Sequence, residues 1–77
     1  NPFNPVTNIT YTLTHAGDIN LEVFNSLGEK VKTIYRGFSQ AGDHRIVFDA
    51  SEFSSGVYFY TLTAGDFSVT KKMLLVK

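Results

Sequence analysis

Hydrophobic and polar residues alternate along this chain with a period of two. Ile9, Tyr11 and Leu13 alternate with Thr10 and Thr12, and Ile19, Leu21 and Val23 alternate with Asn20 and Glu22. Ile46 and Phe48 alternate with Arg45 and Val47. Successive side chains of a strand point to opposite faces, so this pattern predicts half-buried strands. The stretch Gly56-Val57-Tyr58-Phe59-Tyr60-Thr61-Leu62 is apolar or aromatic on both phases. It suits a central strand covered on both sides, or one whose aromatics shield an outer face. In the last segment Phe67, Val69, Lys71, Met73 and Leu75 share one parity, and Lys71 interrupts it. A bulge that switches faces is expected near Lys71-Lys72.

Turn residues punctuate these segments. Ala-Gly-Asp occurs at Ala16-Gly17-Asp18, Ala41-Gly42-Asp43 and Ala64-Gly65-Asp66. Glycine supplies positive φ at such places, and aspartate bonds its own backbone two residues on. The sequences around the triplets do not match, so recurrent hairpin chemistry explains them better than a repeat architecture. Ser26-Leu27-Gly28-Glu29 and Arg36-Gly37 mark two further turns. Strands are expected over 7–13, 19–25, 30–35, 43–49, 56–64 and 67–76, with 50–55 crossing between sheets. Phe53, the one large apolar residue of that crossing, is expected to plug the sandwich edge. The fold class that follows is all-β: a small immunoglobulin-like antiparallel β-sandwich of six to seven strands. A small open barrel is the second choice. Residues 1–6 read as a linker or lead-in joining the domain to a preceding one, and 7–77 as the domain itself.

Composition narrows the function by exclusion. A chain of 77 residues buries roughly 60% of the surface it exposes when unfolded, which leaves little room for a deep pocket. Hydrophobic residues at 43% are too many for a disordered tail. Cysteine is absent, so disulfides, thiolate metal sites and cysteine catalysis are excluded. Seven basic and seven acidic residues cancel, so no large field draws in nucleic acid or an anionic membrane. No apolar run is long enough for a membrane-spanning helix. The chain opens on Asn1 without an apolar signal segment, so it reads as a folded piece of a longer protein.

No catalytic constellation is written in the residues. His15 falls at a turn and His44 at a strand start, and neither has a partner at metal-ligand spacing. Both are read as surface histidines, and no cofactor is expected. The four aspartates lie near turns, where they serve backbone geometry; a calcium site would have to assemble across loops. Asn8-Ile9-Thr10 matches the glycosylation sequon, a common chance match. Tyr58, Phe59 and Tyr60 fill the core in the simpler reading, and form a stacking platform for sugar in the alternative one.

Two end segments carry more information. Asn1-Pro2-Phe3-Asn4-Pro5 contains two residues with fixed φ and no backbone donor, so it is an extended lead-in rather than a ladder strand. In Lys71-Lys72-Met73-Leu74-Leu75-Val76-Lys77, lysines bracket an apolar run. Lysines there discourage edge pairing as gatekeepers do. The same layout offers a partner a charged and apolar strand to grip, by strand addition for example.

Together these segments resemble a known family. Asn1-Pro2-Phe3-Asn4-Pro5 followed by Thr7 and Ile9-Thr10-Tyr11 is similar to the opening of C-terminal sorting domains of the type IX (Por) secretion system, type A. So is Leu21-Glu22-Val23-Phe24-Asn25-Ser26-Leu27-Gly28-Glu29-Lys30-Val31, and so is Ser55-Gly56-Val57-Tyr58-Phe59-Tyr60 with its Gly-Val-Tyr signature. Lys71 to Lys77 is similar to the family's terminal basic-apolar motif. The family usually carries Tyr-Pro before the first Asn-Pro, and this chain starts one step later. The sandwich also resembles the immunoglobulin-like domain of flagellar hook-capping proteins.

The resemblance implies a non-enzymatic secretion signal on an exported cargo of a Gram-negative bacterium. It implies passage through the periplasm, recognition by the type IX machinery at the outer membrane, and a secreted or cell-surface product. By residue matching, Lys71, Lys72, Met73, Leu74, Leu75, Val76 and Lys77 are the segment the machinery would read. Asn1, Pro2, Phe3, Asn4, Pro5, Leu27, Gly28, Gly56, Val57 and Tyr58 would serve the fold and the connection to cargo. The competing class is a permanent structural or adhesive module, and after it a carbohydrate-binding module.

Overall fold

The computed structural model describes residues 6–76. Six strands follow one another: β1 (Val6–Leu13), β2 (Gly17–Asn25), β3 (Lys30–Ser39), β4 (Gly42–Asp49), β5 (Gly56–Ala64) and β6 (Phe67–Leu75). No helix occurs among the described residues. β1 and β4 form a two-stranded sheet, and a second sheet has the order β3-β2-β5-β6. Every neighbouring pair is antiparallel. The architecture is that of a small immunoglobulin-like sandwich, with two separate sheets rather than a closed or open barrel.

The period of two builds the core. Ile9 and Leu13 of β1 and Phe48 of β4 face Ile19, Leu21 and Val23 of β2, Tyr58 and Leu62 of β5 and Leu75 of β6. All of these are buried, as is Ala50. The segment 50–55 passes from the small sheet to the large one, and Phe53 fills its underside as expected. Its ring lies 5.7 Å from that of Phe48 and 6.0 Å from that of Tyr58. The Tyr58 hydroxyl donates to the Ser54 carbonyl at 2.9 Å, so a buried ring keeps a satisfied polar tip.

Three local expectations are corrected. Arg36-Gly37 is not a turn: β3 continues through it to Ser39. Gly37 pairs with Ile19 at φ 144, a conformation open to glycine, and the Tyr35 hydroxyl passes close by to donate to the Phe38 carbonyl. No bulge occurs at Lys71-Lys72, because β6 keeps unbroken register with β5 from Phe67 to Leu75. The register shifts lie instead between β2 and β3, where Ile34 and Val31 are the extra residues. Of the Ala-Gly-Asp triplets only Ala64-Gly65-Asp66 makes a two-residue hairpin turn, while Gly17 and Gly42 are already the first residues of strands.

A polar clasp joins the sheets at the end away from Phe53. Tyr11 of β1 and His44 of β4 stack with ring centroids 5.0 Å apart. The Tyr11 hydroxyl lies 3.1 Å from the Oγ of Ser39, the one buried polar side chain among the described residues. His44 is therefore half-buried and built in, not the surface residue expected from sequence. Its Nε2 lies 3.3 Å from Ser39 Oγ and 2.6 Å from the Gln40 carbonyl. A carbonyl only accepts, so the closer contact places the proton on Nε2. That nitrogen then cannot take a proton from Ser39, and the serine–histidine contact is structural rather than a nucleophile and its base.

Candidate recognition surface

The terminal segment singled out by sequence is split by the strand period into two faces. Met73 and Leu75 lie on the core parity, and Leu75 is only 5% exposed. Lys72, Leu74 and Val76 point the other way; Leu74 is 66% and Val76 63% exposed. Lys71 shares the core parity yet is exposed. It lines a groove at the open flank of the sandwich with Thr10, Tyr11, Thr12, Tyr60 and Val69. A lysine at such a place can lay its aliphatic stem along apolar surface and keep its ammonium in water, so the parity break needs no bulge. Lys77 and Asn1 to Pro5 lie outside the described residues.

Register extends the exposed face inward from β6. Leu74 stands beside Val57 of β5, and Lys72 beside Phe59, which stands beside Phe24 of β2. Val57 is exposed, and Phe24 and Phe59 are half-buried. The outer face of the large sheet thus carries Phe24, Val57, Phe59 and Leu74 as neighbours around Lys72. Phe24 and Phe59 were absent from the sequence-based site. The signal for them was the two-phase apolar character of β5, which here reflects an outer face shielded by an aromatic. Tyr58 and Tyr60 face the core instead, so the three consecutive aromatics do not form one platform.

The β2–β3 turn adds to the same end, because Asn25 pairs with Tyr58 near the start of β5. Asn25 organises this turn almost alone. Its Oδ1 accepts from the amides of Leu27 at 2.9 Å and Glu29 at 3.0 Å, and its Nδ2 donates to the Glu29 carboxylate at 2.9 Å. The Gly28 amide donates to the Asn25 carbonyl at 3.0 Å, and Gly28 takes a φ of 87. Leu27 is held at the tip of this turn, 81% exposed. Gly28 and Asn25 fix the turn, whereas Leu27 contributes no packing. Gly56 opens β5 and Tyr58 packs two residues later. Among the described residues, no three of His, Cys, Asp or Glu converge as metal ligands.

The whole chain, residues 1–77, matches the family described as secretion system C-terminal sorting domain. The chain belongs to that family. A sorting domain of this kind is a C-terminal signal for type IX secretion, and the family is one of sorting signals, not of enzymes. It implies a tail on a cargo protein, recognised by the type IX machinery, and export to the cell surface or beyond. No curated protein and no solved structure matches the sorting domain with significance.

Proposed function

We propose that this domain directs a cargo joined upstream of it across the outer membrane, and that the machinery reads the solvent-facing half of the terminal segment. Lys72, Leu74 and Val76 are the residues read; Met73 and Leu75 hold the strand in the sandwich. The observation that carries this reading is the pair Leu74 and Leu75, adjacent in sequence and opposite in environment. Among the described residues no acid pairs with Lys72, and large apolar side chains exposed next to one another beside it are ordinary for a binding surface. A folded domain presents them already ordered, which lowers the entropy lost on binding. Membership of the sorting-domain family supports the partner class.

The test is the distribution of cargo between medium and periplasm. Removal of Met73 to Lys77 from the full protein abolishes export on this reading, with the cargo itself still folded. Normal export after that deletion sinks it.

A further inference from the structure

β6 is the last strand of the large sheet and has no second neighbour among the described residues. We propose that its free edge accepts an extended strand of a partner protein, one that carries carboxylates near its middle. The proposal rests on the sorting reading and specifies how the signal is gripped.

The β5–β6 turn fixes which backbone groups are free. Gly65 has a φ of 62, and Asp66 is not among the positive-φ residues, so the two-residue turn is of type II′ with glycine first. Such a turn closes on Ala64 and Phe67 as a hydrogen-bonded pair, and bonded pairs then alternate along the ladder. Phe67, Val69, Lys71, Met73 and Leu75 therefore aim their amides and carbonyls at β5. Ser68, Thr70, Lys72 and Leu74 aim theirs at the open edge. This edge runs without proline or bulge, unlike β3 at the opposite side of the sheet, whose register slips twice.

Charge selects the occupant. β6 carries Lys71 and Lys72 at its middle, one on each face, and no carboxylate. A second copy paired antiparallel in full overlap would set Lys71 against Lys71, which is destabilising in directly opposed positions. An incoming strand with acidic residues there finds a cation on both faces, and Leu74 and Val57 offer apolar surface beside it. The lysines thus disfavour self-association and favour an acidic, extended partner segment.

The experiment substitutes the edge in the full cargo protein in its own host. Thr70→Pro removes one edge-facing amide and leaves the β5–β6 bonds intact, as proline at an edge permits. It also removes the hydroxyl contact of Thr61 with Thr70 at 2.9 Å, so Thr61→Val, which loses the same contact, is the control. Secreted cargo falls at least tenfold for Thr70→Pro and for the double reversal Lys71→Glu with Lys72→Glu, while the domain stays protease-resistant and the control exports normally. If Thr70→Pro unfolds the domain, Ser68→Pro and the charge reversal decide instead. Folded Thr70→Pro protein exported at the wild-type level overturns the edge pairing, as does a stable β6-mediated dimer of the chain. Removal of the whole domain separates the two readings: blocked export there with normal export of the proline variant refutes only the edge, and normal export in both refutes the sorting function too.

Discussion

Leu74 and Leu75 state the division of labour at the residue scale. Truncating Leu75 to alanine opens a void in a core this thin, and buried leucines of this kind cost about 2–5 kcal/mol. A chemical-denaturation curve of the Leu75→Ala protein therefore shifts to lower midpoint by that amount. Leu74→Ser removes a side chain that is mostly in water, so its stability stays within about 0.5 kcal/mol of the parent. The same logic applies at Asn25, which accepts two backbone amides in the β2–β3 turn. Asn25→Ala leaves both without that acceptor and costs roughly 1 kcal/mol, read from the same denaturation curves. None of these roles was visible from residue type alone, because Leu74 and Leu75 are identical in composition and differ only in parity.

Elements were more legible than residues. β5 falls at the expected bounds, since an uninterrupted run from Gly56 to Ala64 leaves the period little freedom. The sequence pattern ends β3 at residue 35 rather than at Ser39 for two physical reasons. Its core residues Val31 and Ile34 are spaced by three because each sits at a register shift, which hides the period of two. Gly37 then looks like a turn residue although it pairs within the strand. In β6 a lysine on the core parity predicts a bulge, whereas the strand keeps its register and Lys71 lines the open flank of the sandwich. The clasp of Tyr11, Ser39 and His44 is not legible in the sequence, because its members come from three strands that only the fold brings together. Tyr11→Phe removes the hydroxyl from this clasp and costs roughly 1 kcal/mol, measurable as a lowered thermal midpoint.

Across the whole molecule, a four-stranded sheet is half covered by a two-stranded one. The inner face supplies a core just sufficient for a domain of this size, and the outer face stays open. That arrangement suits a signal that must fold, persist and present a surface, with no cavity required. Of the exposed apolar residues, Val57, Leu74 and Val76 lie together at the finish of β6, while others such as Phe38, Val47 and Phe67 stand elsewhere on the surface. Balanced net charge hides a local excess, since β6 holds two lysines and no acid. A domain read by its outer face tolerates core-conserving changes and fails on outward charge reversals.

The most direct measurement combines Leu74→Asp with Val76→Asp in the full cargo protein and compares cargo in medium and periplasm. The domain remains folded by protease resistance, and the cargo accumulates in the periplasm at the expense of the medium. Folded double-variant protein released into the medium at the parent level would contradict the claim that the outward face of the last strand is the signal.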